Sequence, residues 1–149
     1  MAIVTSAGTI VAVGTTSATG TITLLTRMAK LVHRRTPDEL LGMTLRQFMV
    51  LSYVDEHDGA PQQELAEVFC MDANNLVLLL NELEDDSLIR RLRDPDDRRR
   101  HVVEITDVGL AALGSANAAR ETIEDDVLGP LTFDERETLR QLLIKALEG

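Results

Sequence analysis

Between Arg90 and Arg100 six arginines stand against three aspartates, and the run is split by Asp94-Pro95-Asp96-Asp97. Guanidinium groups at that density offer permanent charge and planar, bidentate hydrogen bonding, the chemistry that grips phosphate oxygens. Just upstream, Asn74, Asn75 and Asn81 share a short segment with Val77 and Leu78. Asparagine pairs bidentately with adenine N6 and N7, and apolar side chains meet the thymine methyl. Narrow A/T-rich minor grooves also attract arginine, so both sets suit an A/T-containing duplex. A blander reading competes, in which the asparagines only cap a helix and the charge run only solvates a face. Placement decides: the arginines fall at the tip of a predicted hairpin that directly follows two helical patterns.

The chain as a whole is acidic, with a net charge of -10 over 149 residues, and residues 60 to 89 hold seven acidic groups and no basic one. Binding a polyanion needs a local basic footprint rather than a basic total. The arginine run is the one strongly basic island. Other chemistries find less support. There is no convergent nucleophile, paired-carboxylate set or phosphate loop, and Asp85-Asp86 and Asp125-Asp126 read as solvated helix faces. His33, His57 and His101 are far apart without ligand spacing, so neither a metal nor a cofactor is expected. The single cysteine, Cys70, excludes an intrachain disulfide and suits a reducing cytoplasm. No run approaches the roughly 20 apolar residues of a membrane helix, and the expectation is a soluble cytoplasmic protein without a membrane partner.

The elements that must position these groups are legible from spacing. Leu76, Leu79, Leu80 and Leu83 recur at i, i+3, i+4 and i+7, which places four leucines on one helical face. Asp72 is suited to cap that helix, and a rotation of about 100° per residue puts Asn74, Leu78 and Asn81 opposite the leucines, with Asn75 and Val77 at the flanks. A shorter helix from Gln62 to about Phe69 precedes it, with Pro61 suited to its first position. Two β-prone runs, Ile89 to Arg93 and Val102 to Thr106, flank the Asp/Pro-rich turn and read as a hairpin. Upstream, Thr44-Leu45-Arg46-Gln47 is a capping box with Met43 and Phe48 as a hydrophobic staple, opening a helix to about Glu56 that carries Tyr53. A further helix runs from Ile22 to Thr36, ended by Pro37. Thr106 caps a long helix to about Val127, and Thr132-Phe133-Asp134-Glu135 opens a last one whose Leu139, Leu142, Leu143, Ala146 and Leu147 form a stripe that needs a partner surface. Residues 1 to 20 carry no charge and read as a flexible arm.

Helix, turn, helix and basic hairpin make a winged helix-turn-helix. From about Leu45 to Gly109 the chain closely resembles the MarR-type transcriptional regulators, on Glu64-Leu65-Ala66, Leu83-Glu84, Asp97-Arg98-Arg99 and Ile105-Thr106-Asp107-Val108-Gly109. The fold class expected is mainly α with a small β-hairpin wing: a single domain over 21–149, with a DNA-binding lobe at 44–107 and dimerisation helices at 21–36 and 108–149. The resemblance implies a homodimer on double-stranded DNA, binding a pseudo-palindromic operator as a repressor. It also implies that Arg98 enters the minor groove, that Asp97 orients an arginine, and that Arg93, Arg99 and Arg100 contact backbone or stay solvated. Gln62 joins the expected DNA-binding set. A small phenolic effector wedged between dimer region and lobe is implied as well, with His33, Arg46 and Tyr53 as candidate lining.

The chain departs from that pattern in one respect. Positions 72 to 86 hold no arginine or lysine, and Glu82, Glu84, Asp85 and Asp86 crowd the far end of the recognition helix, where they oppose its macrodipole. Entry by the N-terminal half would keep those acids from phosphate. Two alternatives follow: a winged-helix interaction module that has lost DNA binding, and a redox-sensing regulator acting through Cys70, whose near neighbours Glu67 and Asp72 disfavour the thiolate.

Overall fold

The computed structural model describes residues 19–149. All but the last two positions of the expected arm lie outside them. Among the described residues, seven helices and three short strands follow in the order α1 (Thr21–Arg35), α2 (Asp38–Leu41), α3 (Leu45–Glu56), β1 (Ala60–Pro61), α4 (Gln62–Val68), α5 (Ala73–Asp85), β2 (Ile89–Arg93), β3 (His101–Ile105), α6 (Asp107–Val127) and α7 (Phe133–Glu148).

Local chemistry starts α3, α5, α6 and α7 where the caps predict. The Thr44 hydroxyl accepts from the Gln47 amide while the Gln47 side chain accepts from the Thr44 amide, and Thr132 and Glu135 repeat the exchange at α7. Each such box satisfies two donors that a helix start leaves orphaned. The core forms around α3, α4 and α5. Val50, Leu51, Val54, Leu65, Leu80 and Leu83 are fully buried, and Leu76 and Leu79 nearly so. Each buried leucine contributes roughly 1.5–3 kcal/mol relative to exposure.

Two features depart from the sequence reading. Asp38–Leu41 forms a four-residue helix that no periodicity could announce, with Gly42 supplying the left-handed backbone (φ 72°) that ends it. Pro61, expected at the first position of the next helix, instead forms an edge strand with Ala60 before it and caps α4. Ala60 and Pro61 pair antiparallel with Val103 and Val102, so the sheet has three strands in the order β1-β3-β2. Proline tolerates an edge position because it has no amide to offer a further neighbour, and Ala60 is drawn inward by full burial.

The outer helices are built differently. α6 packs against α1, α2 and α3, burying Gly109, Leu113, Ala116, Ile123 and Val127. α1 and α7 bury no residue. Leu25 and Met28 of α1 are exposed, as are Leu142, Leu143 and Leu147 of α7. Ion pairs hold both helices to the end of α6, Arg35 to Asp126 at 2.7 Å and Arg136 to Asp125.

Candidate nucleic-acid interface

The first turn of α5 is set by its cap. Asp72 Oδ1 accepts from the Asn75 amide at 3.0 Å, and the Asn75 side chain donates to Asp72 Oδ2. The Asn75 amide bond is the main reason the Asp72 carboxyl lies below the usual carboxylate range. One consequence separates the two neighbouring asparagines: Asn75 is tied back to the cap, whereas the Asn74 side chain has no partner among the described residues and is exposed. Leu78 is also outward, at 60% exposure, with Val77 half-buried beside it.

Asn81, one helical turn further, is differently engaged. Its Oδ1 accepts from Arg91 Nη2 at 2.7 Å. The same guanidinium donates through Nε to Glu84 Oε2 at 3.1 Å and through Nη2 to that oxygen, while the Arg91 amide donates to Glu84 Oε1 at 3.2 Å. Hydrogen bonds from the Arg91 side chain hold the Glu84 carboxyl below its ordinary range. Glu84, which opposes the helix dipole, is thus neutralised by a wing arginine. The signal was present in the alternation of β2: Arg91 stands two residues from buried Ile89 and shares its inward face.

The wing turn is held by backbone contacts. Asp94 N donates to Arg100 O, Arg100 N to Asp97 O, and Asp94 Oδ1 accepts from Asp96 N at 2.8 Å. Asp97 receives the Arg99 amide at 3.0 Å and lies 3.6 Å from Arg100 Nε. Arg90 pairs across the strands with Glu104. Arg93 donates to the Arg98 carbonyl at 3.4 Å. Arg93, Arg98 and Arg99 are exposed and without an ion-pair partner among the described residues, and the Arg98 and Arg99 guanidinium groups make no hydrogen bond there either.

An open groove joins these parts. Gln62, Gln63, Glu64 and Glu67 of α4 line it together with Arg99, Arg100 and His101 of the wing, and Ala73 in the first turn of α5 borders it. Gln63 and His101 are absent from the DNA-binding set expected from sequence; neither type announces itself without the fold. A second crevice, about 440 Å³, lies between the end of α1 and the start of α3, lined by His33, Arg46, Met49, Phe69 and Met71 among others. Tyr53 is not in it, which corrects the expectation: its hydroxyl donates to Glu64 Oε1 at 2.6 Å, and its ring stacks on His57 and meets Phe69 edge-on. Cys70 is exposed in the turn between α4 and α5, with left-handed backbone (φ 50°).

No helix among the described residues is long and apolar enough to cross a membrane. Residues 43–101 match the MarR family. The transcriptional regulator HosA of Escherichia coli O111:H- is 30% identical over 111 residues, 74% of this chain and 82% of that protein. The transcriptional repressor NicR of Pseudomonas putida is 28% identical over 107 residues, 72% of this chain and 68% of the relative. Among solved structures, a MarR variant from Escherichia coli complexed with operator DNA superposes with a TM-score of 0.71 at 27% identity, covering 83% of this chain and 91% of that one.

Proposed function

This chain belongs to the MarR family of transcriptional regulators, and from that premise we propose that it is a homodimeric repressor of a pseudo-palindromic operator. In this reading residues 44–107 are the DNA-binding lobe, and 21–36 and 108–149 supply the dimer helices. The supporting observation is the groove that Arg99 of the wing turn shares with Ala73 of the first turn of α5. It supports a surface in which the wing arginines and the N-terminal half of α5, which carries Asn74 and no acid after Asp72, meet the duplex together. Asn74 and Leu78 then face base edges, with Val77 and Gln62 beside them. Arg98 enters the minor groove, and Arg93, Arg99 and Arg100 serve the backbone. Asn75 and Asn81 take lesser parts because Asp72 and Arg91 hold their side chains.

The exposed apolar side chains of α1 and α7 support the dimer, since a single lobe reads few bases and two half-sites lie about one helical turn apart. In this reading a small phenolic effector would occupy the crevice beside His33 and Arg46. It would release DNA only by binding the two conformations with different affinity. Selection of bound fragments from a random duplex pool, followed by titration at two salt concentrations, tests the whole reading. Enrichment of an inverted repeat is the expected result. Absence of any salt-dependent retention would leave the interaction-module alternative.

A further inference from the structure

Wing and recognition helix are separate elements, yet both must meet the duplex together, so something has to set the angle between them. Packing fixes the base of the wing, where Ile89 and Val103 are buried in the core, but it gives out further along β2. Leu92 is exposed, and the side chains of Arg90 and Arg93 point to Glu104 and to the turn. Arg91 is the exception. Its side chain is only 21% exposed, and it reaches across to two residues of α5 at once, Asn81 and Glu84. Glu84 also receives the Arg91 amide, so strand and side chain are held together.

We propose that Arg91 is a positioning residue for DNA binding: through Glu84 and Asn81 it locks the wing to the far half of the recognition helix and never touches DNA. The proposal rests on the operator-binding reading above. It requires the planar fork, because one guanidinium serves both partners, whereas a lysine ammonium is a point charge on a flexible stem. It also explains why Asn81, although on the outer side of the leucine stripe, is withheld from base contact.

The test uses the full chain. A spin label on native Cys70, beside α5, is paired with one on Asp96→Cys in the wing turn, diluted with unlabelled protein so that the distance within one chain is read. Unlabelled Arg91→Lys and Glu84→Gln proteins are titrated against a duplex selected from a random pool by wild type, at several salt concentrations. The expected result is a broadened Cys70–wing distance in Arg91→Lys, with affinity about tenfold weaker and the salt slope unchanged. Glu84→Gln keeps acceptor shape and falls between. An unchanged distance distribution overturns the proposal, as does a slope reduced by about 1 at unaltered distance, which would make Arg91 a phosphate contact. If wild type retains no duplex while Arg91→Lys still loosens the wing, operator binding fails and the DNA-positioning role falls with it, whereas the geometric lock stands.

Discussion

Gly109 sits directly against the carbonyl of Leu88: a Cβ on the glycine would lie 2.1 Å from that oxygen and 2.7 Å from the Ile105 side chain. The close approach is part of a junction between the wing and α6. Thr106 donates its amide to Leu88 O and its hydroxyl to Ser87 O at 2.6 Å, and that hydroxyl also accepts from the Gly109 amide. Gly109→Ala must move backbone against backbone, so its cost falls at or above the upper end of the about 1–3 kcal/mol typical of overpacking. A fall in Tm of roughly 6–12 °C is expected by calorimetry. Gly114, in the same helix, has open space for 4 Å around the point where a Cβ would stand, and Gly114→Ala should instead raise stability by about 0.5–1 kcal/mol.

Ser87 ends α5 with left-handed backbone, φ 61°. Leu88 N bonds to Leu83 O and Ser87 N to Glu84 O, the paired hydrogen bonds of a Schellman ending, in which glycine is the favoured residue. Ser87→Gly keeps the carbonyl that Thr106 uses and removes the Cβ penalty of about 1–2 kcal/mol, partly offset by glycine's greater freedom when unfolded. Denaturant midpoint should rise with no change in slope.

These junctions show what sequence could and could not carry. The leucines of α5 and the two capping boxes are local signals, and the helices they specify begin within a residue of expectation. The strand at Ala60 exists only because Val103 lies beside it, a pairing about forty positions away that no local pattern encodes. The candidate interface divides likewise. Spacing alone placed Asn74 and Leu78 outward, but whether an arginine is free or engaged depends on acids elsewhere in the fold. Arg98 has no such partner among the described residues, whereas Arg90 and Arg91 meet Glu104 and Glu84.

The Asp72 cap gives stability a sign against pH. Its carboxyl is held below the usual range by the Asn75 amide, so its contribution is complete above the unfolded carboxylate pKa and is lost as pH falls through the lower folded value. Asp72→Asn retains a cap acceptor but no titrating group. The Tm advantage of wild type over Asp72→Asn should therefore shrink between about pH 5 and about pH 3. A gap that stays constant over that range would mean the carboxylate charge adds nothing.

Arg98 is exposed and unpaired among the described residues, so removing it costs the free protein no ion pair. Arg98→Ala should weaken duplex binding across sequences and lower the log–log salt slope by about 1 for each phosphate that the arginine neutralises. Filter retention at several salt concentrations measures this, with unchanged thermal stability as the control. A slope identical to wild type would remove the wing tip from the DNA-binding surface.

Asn74 and Asn75 offer a sharper comparison because they differ in engagement, not in chemistry. Asn75 commits its side chain to Asp72, while Asn74 keeps both donor and acceptor free to meet an adenine edge. Asn74→Ala should relax preference at one base position per half-site, a loss of roughly 1–3 kcal/mol of discrimination, with the salt slope intact. Asn75→Ala should leave the preference in place and act mainly on helix stability, since it removes a partner of the cap. Competition between wild-type and singly substituted duplexes reads both. If Asn75→Ala relaxes a position and Asn74→Ala does not, the cap releases Asn75 on binding, and the reading side of α5 is turned by one residue from the side assigned to it.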